Sequence, residues 1–321
     1  MKKNEQGSAT GRRAAGLRSR LAFVKLLPAC VALALSVACG AGASREESGA
    51  HAAEVEQWKA KRLASLTSED GWLTLTGLHW LKEGENRFGS DASNDIRLPE
   101  GKAPGQAGSL FLSGGAVRLE ARPDVELTHE GGPVSSLDLR SDADGQPTVL
   151  KLGTLSLQVI KRGERLALRV KDSQHPARVN FKGLEYFPFT DRWRVNARFE
   201  RYDPPRPVPI ANVIGTQEDQ PSPGAVVFEA GGRTHRLDVL TEQGEEQFFI
   251  IFADQTSGKE TYGAGRYLYA GPPDKQGRIV VDFNRAYSPP CAFTQFATCP
   301  LPPPQNRLAL RVEAGEKFVG H

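Results

Sequence analysis

Thr154-Leu155-Ser156-Leu157-Gln158-Val159-Ile160-Lys161-Arg162-Gly163-Glu164-Arg165-Leu166-Ala167-Leu168-Arg169-Val170 decides the fold class. Leu155, Leu157 and Val159, then Leu166, Leu168 and Val170, alternate with other residues at the period of two that turns one face of a strand toward a core. Arg162-Gly163-Glu164 between them supplies a reversal with a glycine, so the stretch is a pair of antiparallel strands. Outward from it the pattern recurs, with turn signals roughly every eight to twelve residues. Strands are expected at 72–78, at 109–112 and 116–121 across Ser113-Gly114-Gly115, and at 192–202. Further ones are expected at 225–229 and 234–240 across Gly231-Gly232, and at 247–253, 266–269, 278–283 and 308–312. The expectation is an all-β protein of antiparallel sandwich or barrel-like sheets. One amphipathic helix precedes it, over 53–66, where Val55, Trp58, Leu63 and Leu66 recur at helical spacing and give one face to dock on a sheet. A boundary is expected at Lys171-Asp172-Ser173-Gln174-His175-Pro176, separating a helix and β-sandwich-like domain (53–172) from a C-terminal β domain (173–321). Asp203-Pro204-Pro205-Arg206-Pro207 is linker-like.

The first 38 residues have the composition of an export signal. Seven Lys or Arg and the single acid Glu5 are followed by an apolar run from Leu26 to Ala38, interrupted by Pro28 and too short to span a bilayer. Leu35-Ser36-Val37-Ala38-Cys39 resembles a bacterial lipoprotein signal, with Ser36 where that signal prefers leucine, which implies cleavage before Cys39 and its acylation. An ordinary secretory signal cut near Ala43 is the alternative. Residues 39–52, small and polar, are expected to be a tether from the membrane. Losing seven of 41 basic residues and one of 38 acidic ones leaves 34 against 37. The mature chain therefore lacks the basic footprint of a nucleic-acid partner, and cell-envelope localisation is expected.

One proline-rich stretch near the C-terminus, residues 282–307, is unsuited to helix or central strand yet carries aromatics and amides. It also holds Cys291 and Cys299, the only thiols left once Cys30 leaves with the signal and Cys39 carries lipid. In an oxidising envelope the pair is expected to form a disulfide, contributing on the order of 2–3 kcal/mol in the chain-entropy model. Structural zinc would want four ligands, and a catalytic thiol would need a histidine partner that only the fold could supply.

Glu83-Gly84-Glu85-Asn86-Arg87-Phe88-Gly89-Ser90-Asp91-Ala92-Ser93-Asn94-Asp95-Ile96-Arg97-Leu98-Pro99 resembles the opening of a forkhead-associated domain, a β-sandwich that binds phosphothreonine peptides. Gly89, Asn94, Asp95, Ile96 and Leu98 carry the resemblance. Ser90 replaces the family's phosphate-binding arginine, and residues 103–107 replace its Ser-Arg-x-His segment, so the resemblance implies the scaffold without phosphopeptide binding. Over most of the mature chain the sequence is similar to the bacterial family of unknown function DUF1684. The carrying residues are Gly71-Trp72-Leu73, Gly77-Leu78-His79-Trp80, Gly183-Leu184-Glu185-Tyr186-Phe187-Pro188, Thr261-Tyr262-Gly263-Ala264-Gly265-Arg266-Tyr267 and residues 282–306. That resemblance brings no established activity.

No nucleophile elbow, zinc-protease motif or phosphate-cradling loop is present, and no cofactor or metal site is expected. The informative cluster follows the apolar strand Phe248-Phe249-Ile250-Ile251-Phe252. There Asp254, Lys259, Glu260, Tyr262 and Arg266 gather acid, base, phenol and guanidinium in a glycine-rich loop. Joined by Asp282, Asn284, Arg285 and Tyr287, and with His79 as a further acid or base, these residues would bind a small molecule or a protein partner. A second reading is a hydrolase-type enzyme using Asp254, Glu260 or Asp282 with Tyr262 and Arg266 stabilising charge. A third is a structural envelope scaffold, and for the 254–266 loop a self-bonded hairpin remains open.

Overall fold

The computed structural model describes residues 29–242 and 244–318, with helix side chains from Glu46 onward. Most of the expected signal segment, and the side chain of Cys39, lie outside the described residues. Helix α1 runs Ala29–Leu66 and takes in residues 40–50. The expected tether thus falls within a helix: Ala41, Ala43, Glu46, Glu47 and Ala50 are good helix formers. Among the described residues no helix is long and apolar enough to cross a membrane.

Eleven strands follow in the N-terminal half: β1 (Leu75–Trp80), β2 (Gly84–Gly89), β3 (Ile96–Arg97), β4 (Gly108–Ser113), β5 (Ala116–Ala121), β6 (Thr128–His129), β7 (Gly132–Pro133), β8 (Ser136–Leu139), β9 (Val149–Leu152), β10 (Leu155–Arg162) and β11 (Arg165–Asp172). Six more follow: β12 (Arg194–Ala211), β13 (Gln217–Ala230), β14 (Arg233–Thr241), β15 (Phe248–Phe252), β16 (Arg266–Ala270) and β17 (Arg278–Asp282). They form three sheets, in the orders β1-β11-β10-β9-β6-β7, β3-β2-β4-β5-β8 and β16-β15-β14-β13-β12-β17. All pairings between strands are antiparallel except β2 with β3.

The hairpin that set the fold class forms with Leu157 opposite Val170 and Val159 opposite Leu168. Its apolar face meets Phe88, Leu110 and Leu119 of the five-stranded sheet in one core. Each side chain so buried contributes about 1.5–3 kcal/mol. Register then dictates that Ala167, Arg169 and Lys171 leave β11 on the opposite face, away from that core.

The third sheet is apolar on both faces. Val226, Leu237, Ile250, Leu268 and Phe283 pack on one side, and Phe249, Ile251 and Tyr267 on the other with Ala297 and Cys299. Two expectations are corrected here. Residues 203–207 are no linker but lie within β12, where the register with β13 shifts between Arg201 and Arg206; prolines are tolerated at such an irregularity because ladder bonds are already interrupted. Residues 308–312 are no strand. Their backbone bonds are scattered: Leu308 N–H donates to the Ala253 carbonyl at 2.8 Å and Leu310 C=O accepts from the Gln255 N–H at 3.0 Å, while Val312 N–H donates to Asp254 at 2.8 Å and Val312 C=O accepts from Arg266 at 2.9 Å. The proline-rich stretch makes short 3-10 turns at Phe283–Arg285, Pro290–Ala292 and Pro304–Asn306, as its composition requires.

Candidate functional site

Half of the predicted site residues, Asp254, Tyr262, Arg266, Asp282 and Asn284, are holding backbone. Asp254 and Arg266 form an ion pair at 3.2 Å with no exposure of either side chain. The Asp254 carboxylate also accepts from the Thr256 hydroxyl at 2.8 Å, and Arg266 donates to the carbonyls of Val312 and Ala314. Burial holds the Arg266 guanidinium below its ordinary value, with Asp254 opposing the shift. This knot ties the end of β15 and the start of β16 to residues 312–314. Lys259 is exposed, Glu260 accepts from Arg311 at 2.6 Å, and the Tyr262 hydroxyl donates to the Cys291 carbonyl at 3.0 Å.

A second knot fastens α1. Asp282 caps its own turn, accepting from the Asn284 N–H at 3.1 Å and side-chain amide at 2.9 Å. Its other oxygen lies 2.8 Å from Nε2 of buried His51, whose Nδ1 is 2.9 Å from Asp191. Arg285 donates to Glu54 at 2.9 Å, and Asn284 donates to the Thr190 carbonyl at 3.1 Å. His79 is half-buried on β1, and desolvation lowers its imidazole below the ordinary range.

One cavity large enough to hold a ligand lies on the outer face of the third sheet, between β15, β16, α1, the 287–300 loop and the Trp72 and Arg162 edge of the N-terminal half; a larger one, of about 1260 Å³, lies against β12, β13 and β17. The first has a volume of about 660 Å³. Alternation puts Tyr267 and Tyr269 on this outer face while Leu268 and Ala270 enter the inner core. Helical spacing puts Trp58, Arg62 and Ser65 on the facing stripe of α1. Tyr287, from the proline-rich stretch, stands between the two walls. Its ring is parallel to Tyr269 within 12° at 6.5 Å, edge-on to Tyr267 at 5.8 Å and tilted against Trp58 at 6.3 Å. Of the predicted site residues, only Tyr287 lines this cleft; Asp254, Glu260 and Asp282 do not.

Polar groups line the cleft as well, Lys61 and Ser65 of α1 among them. The Arg62 guanidinium lies 4.7 Å over the Tyr287 ring, and donates to buried Glu316 at 3.2 Å and to the Ser288 carbonyl at 2.9 Å. Burial raises the Glu316 carboxyl, and Arg62 opposes that rise. Glu316 is delivered by Gly315, whose φ of +77° and whose position 2.4 Å from the Ala286 carbonyl, measured from where a Cβ would stand, admit only glycine. At one end Tyr269 donates to Glu242 at 2.7 Å, and Arg162, which lines the same recess as Glu242, donates to Thr298 at 2.9 Å and Asp142 at 2.8 Å. There the cleft continues into that recess, of about 210 Å³.

Cys299 lines the same end. It is a free thiol, as is Cys291, so the predicted disulfide is not formed in this structure. The two are adjacent nevertheless, the Cys291 N–H donating to Cys299 Sγ at 3.1 Å. Contact with Cys291 and burial both raise the Cys299 thiol, which therefore holds its proton.

Residues 179–317 match the family model described as a protein of unknown function, DUF1684. That segment of the chain belongs to the DUF1684 family. Tyr267, Tyr269, Tyr287 and Cys299 lie inside the DUF1684 segment, whereas Trp58, Trp72 and Arg162 lie outside it, as do the resembling stretches at 71–80. An uncharacterized protein of Haloarcula marismortui is similar over 44% of this chain and 78% of its own, at 30% identity and a TM-score of 0.38. A phosphothreonine-dependent forkhead-associated domain is similar over 29% of this chain and 92% of its own, at 18% identity and a TM-score of 0.22. The FhaA forkhead-associated domain gives 29% and 97%, at 18% identity and the same TM-score. No curated protein matches the chain.

The aromatic wall escaped the sequence reading because its members sit in different roles there: Trp58 as a helix docking residue, Trp72 in one expected strand, and Tyr267 and Tyr269 in another. The signal that could have found it is the pair Tyr267 and Tyr269 at alternate positions of a strand whose other face is already apolar.

Proposed function

We propose that this is an exported, lipid-anchored cell-envelope protein that binds a small molecule in the aromatic cleft between α1 and the outer face of the DUF1684 sheet. The observation that carries the binding role is an open cleft of about 660 Å³ lined by tyrosine and tryptophan rings together with a few polar groups, the ordinary constitution of a ligand site. Export and anchoring rest on the basic and apolar run of residues 1–38 and on Cys39. In an oxidising envelope the adjacent Cys291 and Cys299 become a disulfide that fixes one end of the cleft.

A hydrolytic role has less support, since the three carboxylates it would use are tied to Arg266, Arg311 and His51. The test of binding is a metabolite panel scored by thermal shift on the purified protein and on Trp58→Ala and Tyr287→Ala. Compounds that raise the melting temperature of the wild type and of neither variant are the expected result. A panel in which every hit is retained by both variants would remove the cleft as the binding site.

A further inference from the structure

Arg169 is a buried cation with two unmade donors. It leaves β11 on the face turned away from the N-terminal core and is 5% exposed, yet its Nε and Nη2 have no hydrogen-bond partner. Its guanidinium lies 5.3 Å from the Trp72 ring. Burial and then the neighbouring Arg162 pull it down to about 10, with Asp142 and Cys299 opposing. Trp72, Arg162 and Cys299 all line the aromatic cleft, so Arg169 stands directly behind one of its ends. Asp142, already bonded to Arg162, is one carboxylate set against two guanidinium groups. A buried cation whose donors are unmade is costly unless an opposite charge arrives to take them.

The remaining charges of the cleft assign the polarity of a ligand. Arg62 is engaged by Glu316 and Ser288. Lys61 lines the α1 wall but is exposed to solvent, and Glu242, held by Tyr269, lines the same recess as Arg162. The unmade donors of Arg169 beside Arg162 mark where negative charge is favoured, and next to them lie the faces of Tyr269, Tyr287 and Trp58, which take flat rings.

On the reading that the cleft binds a small molecule, we propose that its ligand is a planar aromatic compound bearing an oxyanion, with the ring among Tyr269, Tyr287 and Trp58 and the oxyanion at Arg162, backed by the charge of Arg169 behind it. Arginine forks match carboxylate and phosphate oxygens in pairs, and hydrogen bonds to charged groups are the strong ones.

The test compares two fluorescent probes that share a ring skeleton, 8-anilinonaphthalene-1-sulfonate and uncharged N-phenyl-1-naphthylamine, titrated into the purified full-length protein. The sulfonate is expected to bind tighter by on the order of tenfold or more. Arg169→Met and Arg162→Met should abolish that preference while leaving the neutral probe bound, and Arg169→Lys should restore part of it. Tyr287→Ala should weaken both probes. Circular dichroism and melting of each variant establish that it is folded; if Arg169→Met does not fold, Arg162→Met and Arg169→Lys carry the comparison.

Equal binding of the two probes by the wild type, or a preference that survives both methionine variants, overturns the oxyanion assignment and leaves the cleft reading intact. Absence of binding by either probe overturns the cleft reading as well. Benzoate and phenyl phosphate as competitors separate the two sources of oxyanion: displacement of the sulfonate by either supports the assignment and names the headgroup, and displacement by neither overturns it.

Discussion

Replacing Asp254 by alanine should be among the most damaging single changes in the chain, and its size follows from the geometry. Both members of the Asp254–Arg266 pair have zero side-chain exposure, so solvent cannot screen the guanidinium left behind. Removing one partner of a buried pair costs about 3–5 kcal/mol, chiefly because the other charge stays buried and unpaired. The same substitution strips the acceptor from the Val312 N–H, bonded at 2.8 Å, and a buried donor left unsatisfied adds about 1–3 kcal/mol. Some of this is recovered by relaxation, and the Thr256 hydroxyl keeps its contact with Thr261 at 2.9 Å. A loss on the order of 4 kcal/mol is expected, a large part of a typical domain's 5–15 kcal/mol. Urea unfolding followed by the fluorescence of buried Trp193 measures it. Asp254→Ala combined with Arg266→Met should cost less than the two single losses together, since the stranded charge is gone. A loss below about 1 kcal/mol, the range of an exposed pair, would refute the reasoning. The effect should reach the cleft too, because residues 312–314 lead directly to Glu316 and hence to Arg62 and Tyr287.

Three further outcomes are expected. The carboxyl of Glu316 is raised above its ordinary 4.5 by burial, so the folded state holds that proton more tightly than the unfolded chain. The stability of the wild type relative to Glu316→Gln should then be greatest below that value and fall as pH rises through the raised one, as urea unfolding of both proteins across the acidic to neutral range would reveal. His51→Phe removes a ring whose two nitrogens face Asp282 and Asp191; a loss of about 2–4 kcal/mol is expected, with faster hydrogen exchange in α1. Alkylation and mass spectrometry of protein taken from an oxidising compartment should find Cys291 and Cys299 unlabelled until a reductant is added. Full labelling without reductant would show that the adjacent thiols stay reduced.

The sequence disclosed what local periodicity controls. The β10–β11 hairpin was legible because Leu157, Val159, Leu168 and Val170 alternate around a glycine turn, and β5 was legible to the residue. β12 was not, because Pro204 to Pro207 imitate a linker, and only the partner strand shows that an irregular ladder can carry them. Residues 308–312 looked like a strand because their side chains alternate, but only isolated bonds to the backbone of Ala253 and Gln255 form, and Val312 turns to the side chains of Asp254 and Arg266. The site was the least legible part. Asp254, Arg266 and Asp282 have the residue types of a binding cluster, and burial is what turns them into struts. The face of β11 that carries Arg169 could be foreseen from alternation, whereas its lack of a partner depends on Trp72, Arg162 and Cys299 converging from three distant segments.

One wall of the cleft is a helix held to the sheet by a few side chains, His51, Trp58 and Arg62 among them. Occupancy of the cleft and seating of that helix are therefore thermodynamically linked. Whatever free energy a bound ring gains from the Trp58 wall is returned as protection of α1 against peeling away, and any force or mutation that loosens the helix lowers affinity by the same factor.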